Sequence, residues 1–67
     1  EAVRILKTCK QYTDRDFKNE LPTKNTPDAI LPIEKILLSS KGTPRLKTAH
    51  DTYITANRSF VQPINEA

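Results

Sequence analysis

A second cysteine is missing from this sequence, so Cys9 has no partner within the chain and a disulfide framework is excluded. Histidine is equally scarce. His50 and Cys9 together fall short of the four ligands a structural zinc usually takes, and neither a metal nor a cofactor is expected. Tryptophan and methionine are absent, and two Tyr and two Phe are the only aromatics, which leaves few large side chains to fill an interior. Gly42 is the single glycine. No apolar run approaches the roughly 18–20 residues that a helix needs to cross a bilayer, so no membrane span is expected. A secretory signal pattern is also missing. The chain opens on Glu1 and reads as a fragment or subunit of a larger protein or assembly.

What remains is 67 residues, enough for one small domain over 1–67. With 36% hydrophobic residues, the core is expected to stabilise the chain by no more than roughly 3–5 kcal/mol. The net charge of +3 and sequence pI of about 9.3 favour anionic partners without requiring them. An unpaired thiol points to an intracellular, reducing compartment.

Apolar spacing predicts a mainly α fold, a small three- to four-helix bundle. Val3, Ile5, Leu6, Cys9 and Tyr12 recur at intervals that line one helical face. Arg4, Lys7 and Lys10 form its basic flank. Thr13, Asp14 and Asp16 suit the start of a short helix, with Phe17 and Leu21 facing inward. Pro22, Pro27 and Pro32 mark a Pro-rich loop over 22–32. A helix over 33–40 follows, stopped by Gly42 in a left-handed conformation. Thr43-Pro44 then opens another helix, along which Leu46, Ala49, Tyr53, Ala56 and Phe60 form a stripe. The strand-like composition of Thr52–Thr55 and Ser59–Val61 supports an alternative, an α+β fold with a C-terminal hairpin over 52–62. Residues 62–67 read as a frayed tail.

No catalytic residue emerges. Asp14, Asp16 and Glu20 are the only clustered carboxylates, and they sit in a polar stretch where dipole compensation explains them. His50 and Asp51 diverge on a helix. Cys9 reads as a small buried hydrophobe. The Ser39–Arg45 segment lacks the earlier glycine and the Lys-Ser/Thr pair of a Walker loop. Its remaining asset is a basic helix start, at which Lys41, Gly42, Thr43, Arg45 and Lys47 are anion- or phosphate-binding candidates. Asn57-Arg58-Ser59 is a formal glycosylation sequon, and Thr26-Pro27 and Thr43-Pro44 are minimal phosphorylation dipeptides.

The expected function is therefore a non-catalytic protein–protein interaction or assembly module. Its partner is another protein or larger assembly, docked in an apolar helical groove of Ile33, Ile36, Leu37, Leu38, Tyr53 and Phe60. The alternative is a basic nucleic-acid-binding domain that contacts phosphates through the 41–47 helix start. Salt separates the two, because phosphate contacts weaken steeply as salt rises while an apolar groove hardly responds. Titration with duplex and single-stranded oligonucleotides at two salt concentrations checks this, and undetectable binding at low salt removes the nucleic-acid alternative.

Overall fold

The computed structural model describes residues 2–64. It is an antiparallel five-stranded sheet built from β1 (Ala2–Ile5), β2 (Ile30–Leu38), β3 (Pro44–Thr48), β4 (Tyr53–Thr55) and β5 (Val61–Ile64). The strand order is β4-β3-β2-β1-β5. Among the described residues there is no helix, so the helical bundle is overturned. The α+β alternative fails as well, because β4 and β5 lie at opposite edges of the sheet instead of pairing as a hairpin. Of the tail expected to fray, Gln62, Pro63 and Ile64 belong to β5 and pair with β1, and 65–67 lie outside the described residues.

The core explains the misreading. Val3 and Ile5 alternate inward from β1 and are buried, while Arg4 between them is exposed, which is the period of a strand. On β2 the period is broken by a bulge. Ile33 pairs with Thr48 but Lys35 pairs with Lys47, so Glu34 is the extra residue. The bulge returns Ile36, opposite Leu46, to the face that Ile33 occupies. Apolar residues on one face of a bulged strand are thus three apart, the same interval a helix produces. The supposed stripe from Leu46 to Phe60 likewise runs through β3, a turn, β4 and a loop.

Val3, Ile5, Cys9, Ile33, Leu46, Ile54 and Val61 form the core, with Ala29, Leu31, Ala56 and Phe60 packed against it. Leu46 is the cross-strand partner of both Ile36 and Ile54, so these three share a face. Proline sits where strands tolerate it. Pro44 opens β3, Pro63 lies in edge strand β5, and Pro32 falls beyond the last β2–β3 pair.

The β2–β3 and β3–β4 connections share one turn design. The N–H of Ser39 donates to the Thr43 carbonyl and that of Gly42 to the Ser39 carbonyl. The N–H groups of Thr48 and Asp51 do the same toward Thr52 and Thr48. The fourth residue has positive φ in each case, 82° at Gly42 and 62° at Asp51, as hairpins with a bulged glycine-type position require. The hydroxyl of the first residue closes the turn. Ser39 Oγ accepts from the N–H groups of Lys41 and Thr43, and Thr48 Oγ1 from those of His50 and Thr52. Gly42 is left-handed as expected, but it ends a strand and not a helix.

Between β1 and β2 the chain makes an excursion over residues 6–29. Its two limbs are tied by reciprocal hydrogen bonds between Cys9 and Asn25, at 3.1 and 2.9 Å. It then docks on the edge of the sheet, where Tyr12 and Tyr53 exchange backbone hydrogen bonds of 3.0 and 2.8 Å. Covering the β4 edge in this way removes an unpaired strand flank.

Ile54 is fully buried at the middle of this core. Replacing it with Ala is expected to cost about 2–5 kcal/mol. That is most of the stability a domain of this size holds. Urea denaturation of Ile54→Ala should find the chain largely unfolded before denaturant is added, and a wild-type midpoint would contradict the assigned core.

Candidate functional site

The excursion carries the most unusual local geometry. Asp14 begins a tight loop in which its carboxylate accepts backbone N–H groups from Asp16 at 3.2 Å, Lys18 at 3.0 and 3.1 Å, and Asn19 at 2.9 Å. The Phe17 N–H donates to the Asp14 carbonyl at 3.3 Å. This loop holds Phe17 at φ 59°, a left-handed backbone that costs an ordinary L-residue about 1–2 kcal/mol.

The ring is what that conformation places. Phe17 stacks on Tyr12 with centroids 4.1 Å apart and planes 9° from parallel. The Arg45 guanidinium lies 3.8 Å from the Phe17 centroid. Stacking and cation–π contact are each worth roughly 0.5–1.5 kcal/mol, comparable to the backbone cost. Arg45 is aimed from β3, and its Nε–H donates to the Arg15 carbonyl at 3.1 Å. Asp16 ties the other side of the loop to the β2–β3 turn, accepting from the Ser40 N–H at 2.7 Å and its hydroxyl at 2.6 Å.

Beside this stack opens a cleft of about 340 Å³, lined by Thr8, Cys9, Lys10, Tyr12, Phe17 and Phe60, with Thr55. Its lining is mostly apolar, and Tyr12, Phe17 and Phe60 are all half-buried. Lys7 Nζ lies 5.8 Å from the Phe60 centroid. Cys9 forms the floor. Burial pushes its thiol pKa up, opposed by a 3.8 Å hydrogen bond from the Asn25 amide, so it rests as a thiol.

The expected partner-groove residues disperse. Ile33 is core, and Ile36 and Leu38 are exposed (62% and 56%) beside Leu46. Leu37 faces the opposite side of β2, Tyr53 sits in β4 against Tyr12, and Phe60 joins the aromatic cleft. A second apolar groove runs past Val3, Ile36, Pro44, Leu46 and Pro63, but no helix contributes to it.

The helix start that motivated an anion site is absent. Lys41, Thr43 and Arg45 line a polar hollow with Asp16 and Lys18 at the β2–β3 turn. The N–H groups of Ser40, Lys41, Gly42 and Thr43 are all taken by Asp16 or Ser39, so none is left to cradle a phosphate. Lys47 lies apart, 3.0 Å from both Glu34 and Asp51, whose carboxylates raise its pKa. Of the basic flank, Lys10 lines the aromatic cleft and Lys7 lies over Phe60 at its margin, while Arg4 points away from the core face of β1. Sequence reading missed the Tyr12–Phe17 pair. The signal was Asp14, an aspartate followed by a polar run, which favours a side-chain-closed turn as readily as a helix cap.

Among the described residues, no helix is long and apolar enough to cross a membrane, which says nothing of a β-barrel. A small antiparallel β module with a preformed aromatic cleft is the class that the fold and site define. The chain belongs to the family described as Domain of unknown function (DUF5776), which matches residues 1–61. It is also similar to the L-alanyl-D-glutamate peptidase of Listeria phage A118, with 38% identity over 64 residues. That similarity covers 92% of this chain but 23% of the peptidase, so the chain spans about a quarter of its relative's length. No solved structure matches.

The loop carboxylates set a pH dependence. At Asp14, desolvation works upward but the N–H donors of Asn19, Lys18 and Asp16 outweigh it, and the pKa is lowered. At Asp16 the hydrogen bonds from Ser40 lower it. A lowered folded-state pKa gives stability that is present above the ordinary Asp value of about 3.9 and lost as pH falls through the folded value. Urea midpoints measured from pH 5 downward should therefore decline, and Asp16→Asn should flatten part of that decline. An unchanged slope in Asp16→Asn would contradict the Asp16–Ser40 link.

Proposed function

We propose that this chain is a non-catalytic binding module that holds the polymer on which a peptidase acts, with the peptidase chemistry carried elsewhere in a longer polypeptide or assembly. Similarity to a quarter of an L-alanyl-D-glutamate peptidase supports this reading. Bonds between L-alanine and D-glutamate belong to the peptides of bacterial cell walls, which makes wall material the proposed ligand. The residues fit holding better than cutting. Cys9 is an unactivated thiol on the cleft floor, and no three His, Cys, Asp or Glu side chains converge as metal ligands among the described residues.

The observation that carries the proposal is the cleft of Tyr12, Phe17 and Phe60. It is preformed, because the Asp14 loop and Arg45 fix Phe17 before any ligand arrives. A site whose anchors are already ordered avoids part of the entropy loss of binding. Buried aromatics of this kind carry most of the energy at interfaces. In this reading the interaction partner docks at the aromatic cleft and not in the helical groove, which the fold does not form.

Co-sedimentation with purified, insoluble bacterial cell walls tests it. Wild type should pellet with the walls, and Phe17→Ala should bind at least about tenfold more weakly while retaining a cooperative urea transition. Ile36→Ala, in the other groove, should bind as wild type. Wild type remaining in the supernatant, or Ile36→Ala losing binding while Phe17→Ala keeps it, would overturn the proposal.

A further inference from the structure

We infer that the aromatic cleft is selective for carboxylate-bearing peptide, with Lys7 and Lys10 as its specificity-determining residues. The inference rests on the wall-binding reading and names which part of the wall is gripped.

The ring geometry comes first. Phe17 has one face against Tyr12 and the other under the Arg45 guanidinium. It therefore offers the cleft an edge and no face. Phe60 has Lys7 over one face. Sugar rings pack on open aromatic faces, and nucleobases stack on them in the same way. Here both faces of Phe17, one face of Tyr12 and one face of Phe60 are already occupied. An aromatic edge is the positive part of the ring quadrupole and is complementary to an anion. Thr8, Thr55 and Cys9 supply small surfaces between the rings, a fit for short aliphatic side chains such as that of alanine.

Charge points the same way. Among the described residues, Lys10 is the only charged side chain lining the cleft and no carboxylate lines it. Lys10 is 3.5 Å from Glu20, which also lies 3.9 Å from Lys24. Both members of the Lys10–Glu20 pair are well exposed, and such pairs add little to stability. Lys10 can therefore exchange Glu20 for a ligand carboxylate at small cost, leaving Glu20 with Lys24. Lys7 is exposed and lies over Phe60 in a cation–π contact at the outer limit of range. Lys10 on the lining and Lys7 over Phe60 at the margin set two exposed ammonium groups around a mostly apolar hollow, a charge arrangement complementary to a carboxylate.

Three wall preparations separate the sources of negative charge: untreated walls, walls stripped of phosphate polymers with hydrofluoric acid, and stripped walls whose peptide carboxyls have been converted to amides. Wild type should bind the first two alike and the amidated walls at least about tenfold more weakly, the equivalent of one lost charge-assisted contact. The double variant Lys7→Gln/Lys10→Gln should bind stripped walls as weakly as wild type binds amidated ones. Lys35→Gln, a charge control on the exposed side of β2, should match wild type. Undiminished binding to amidated walls, or wild-type binding by the double variant, overturns the inference and leaves the wall-binding reading intact. Loss of binding on stripped walls overturns it in favour of a phosphate polymer. Failure to bind even untreated walls overturns the reading beneath it.

Discussion

The Phe17 ring, clamped between Tyr12 and Arg45, is the contact on which the site depends. It joins the excursion limb carrying Tyr12, the loop closed by Asp14 and strand β3, beside the hydrogen bonds from Arg45 to Arg15 and from Ser40 to Asp16. A left-handed phenylalanine is uncommon, since its Cβ crowds the following carbonyl. It persists because the surroundings over-determine it. The Asp14 carboxylate organises the loop from within, Asp16 anchors it to Ser40, and the ring is covered on both faces. Strain held this way at an aromatic beside an open cleft is the pattern expected of a site prepared in advance.

The rest of the fold shows how so short a chain supports that clamp. Its core holds few large side chains, and the fully buried ones are Ile5, Ile54, Val61 and Thr48. Hydrogen bonding carries much of the local definition instead. Ser39 and Thr48 each close a hairpin with one hydroxyl, and Asp14 closes a loop with one carboxylate. No buried side-chain polar atom lacks a partner among the described residues. This accounting matters in a small domain, where one unsatisfied group costs a large share of the total stability.

The sequence made some of this legible and concealed the rest for identifiable reasons. Gly42 as a left-handed stop and Cys9 as a buried hydrophobe were readable from residue type, whereas Ile33, expected in a partner groove, is buried in the core. Fold class was not. The bulge at Glu34 spaces Ile33 and Ile36 like a helix, and Pro44, apt for a first helical turn, is equally apt for the first residue of a strand. The parallel between Ser39-Ser40-Lys41-Gly42-Thr43 and Thr48-Ala49-His50-Asp51-Thr52 was visible in the residues, yet it identifies a turn only once the shared hydrogen bonds are seen. Lys7 and Lys10 were set apart with Arg4 as the basic flank of a helix that the structure replaces, and the closeness of Lys7 to Phe60 and of Lys10 to the cleft depends on contacts between distant segments that no local pattern encodes.

The proposed recognition cleft at Phe17 and the groove past Ile36 are distinct apolar surfaces among the described residues, and a residue-resolved titration decides between them. Backbone amide spectra of the labelled chain should be followed as soluble peptide fragments released from bacterial walls are added. Shifts concentrated at Thr8, Lys10, Tyr12, Phe17 and Phe60 are predicted. Shifts concentrated at Val3, Ile36, Leu38 and Leu46, with the Phe17 loop unmoved, would contradict it.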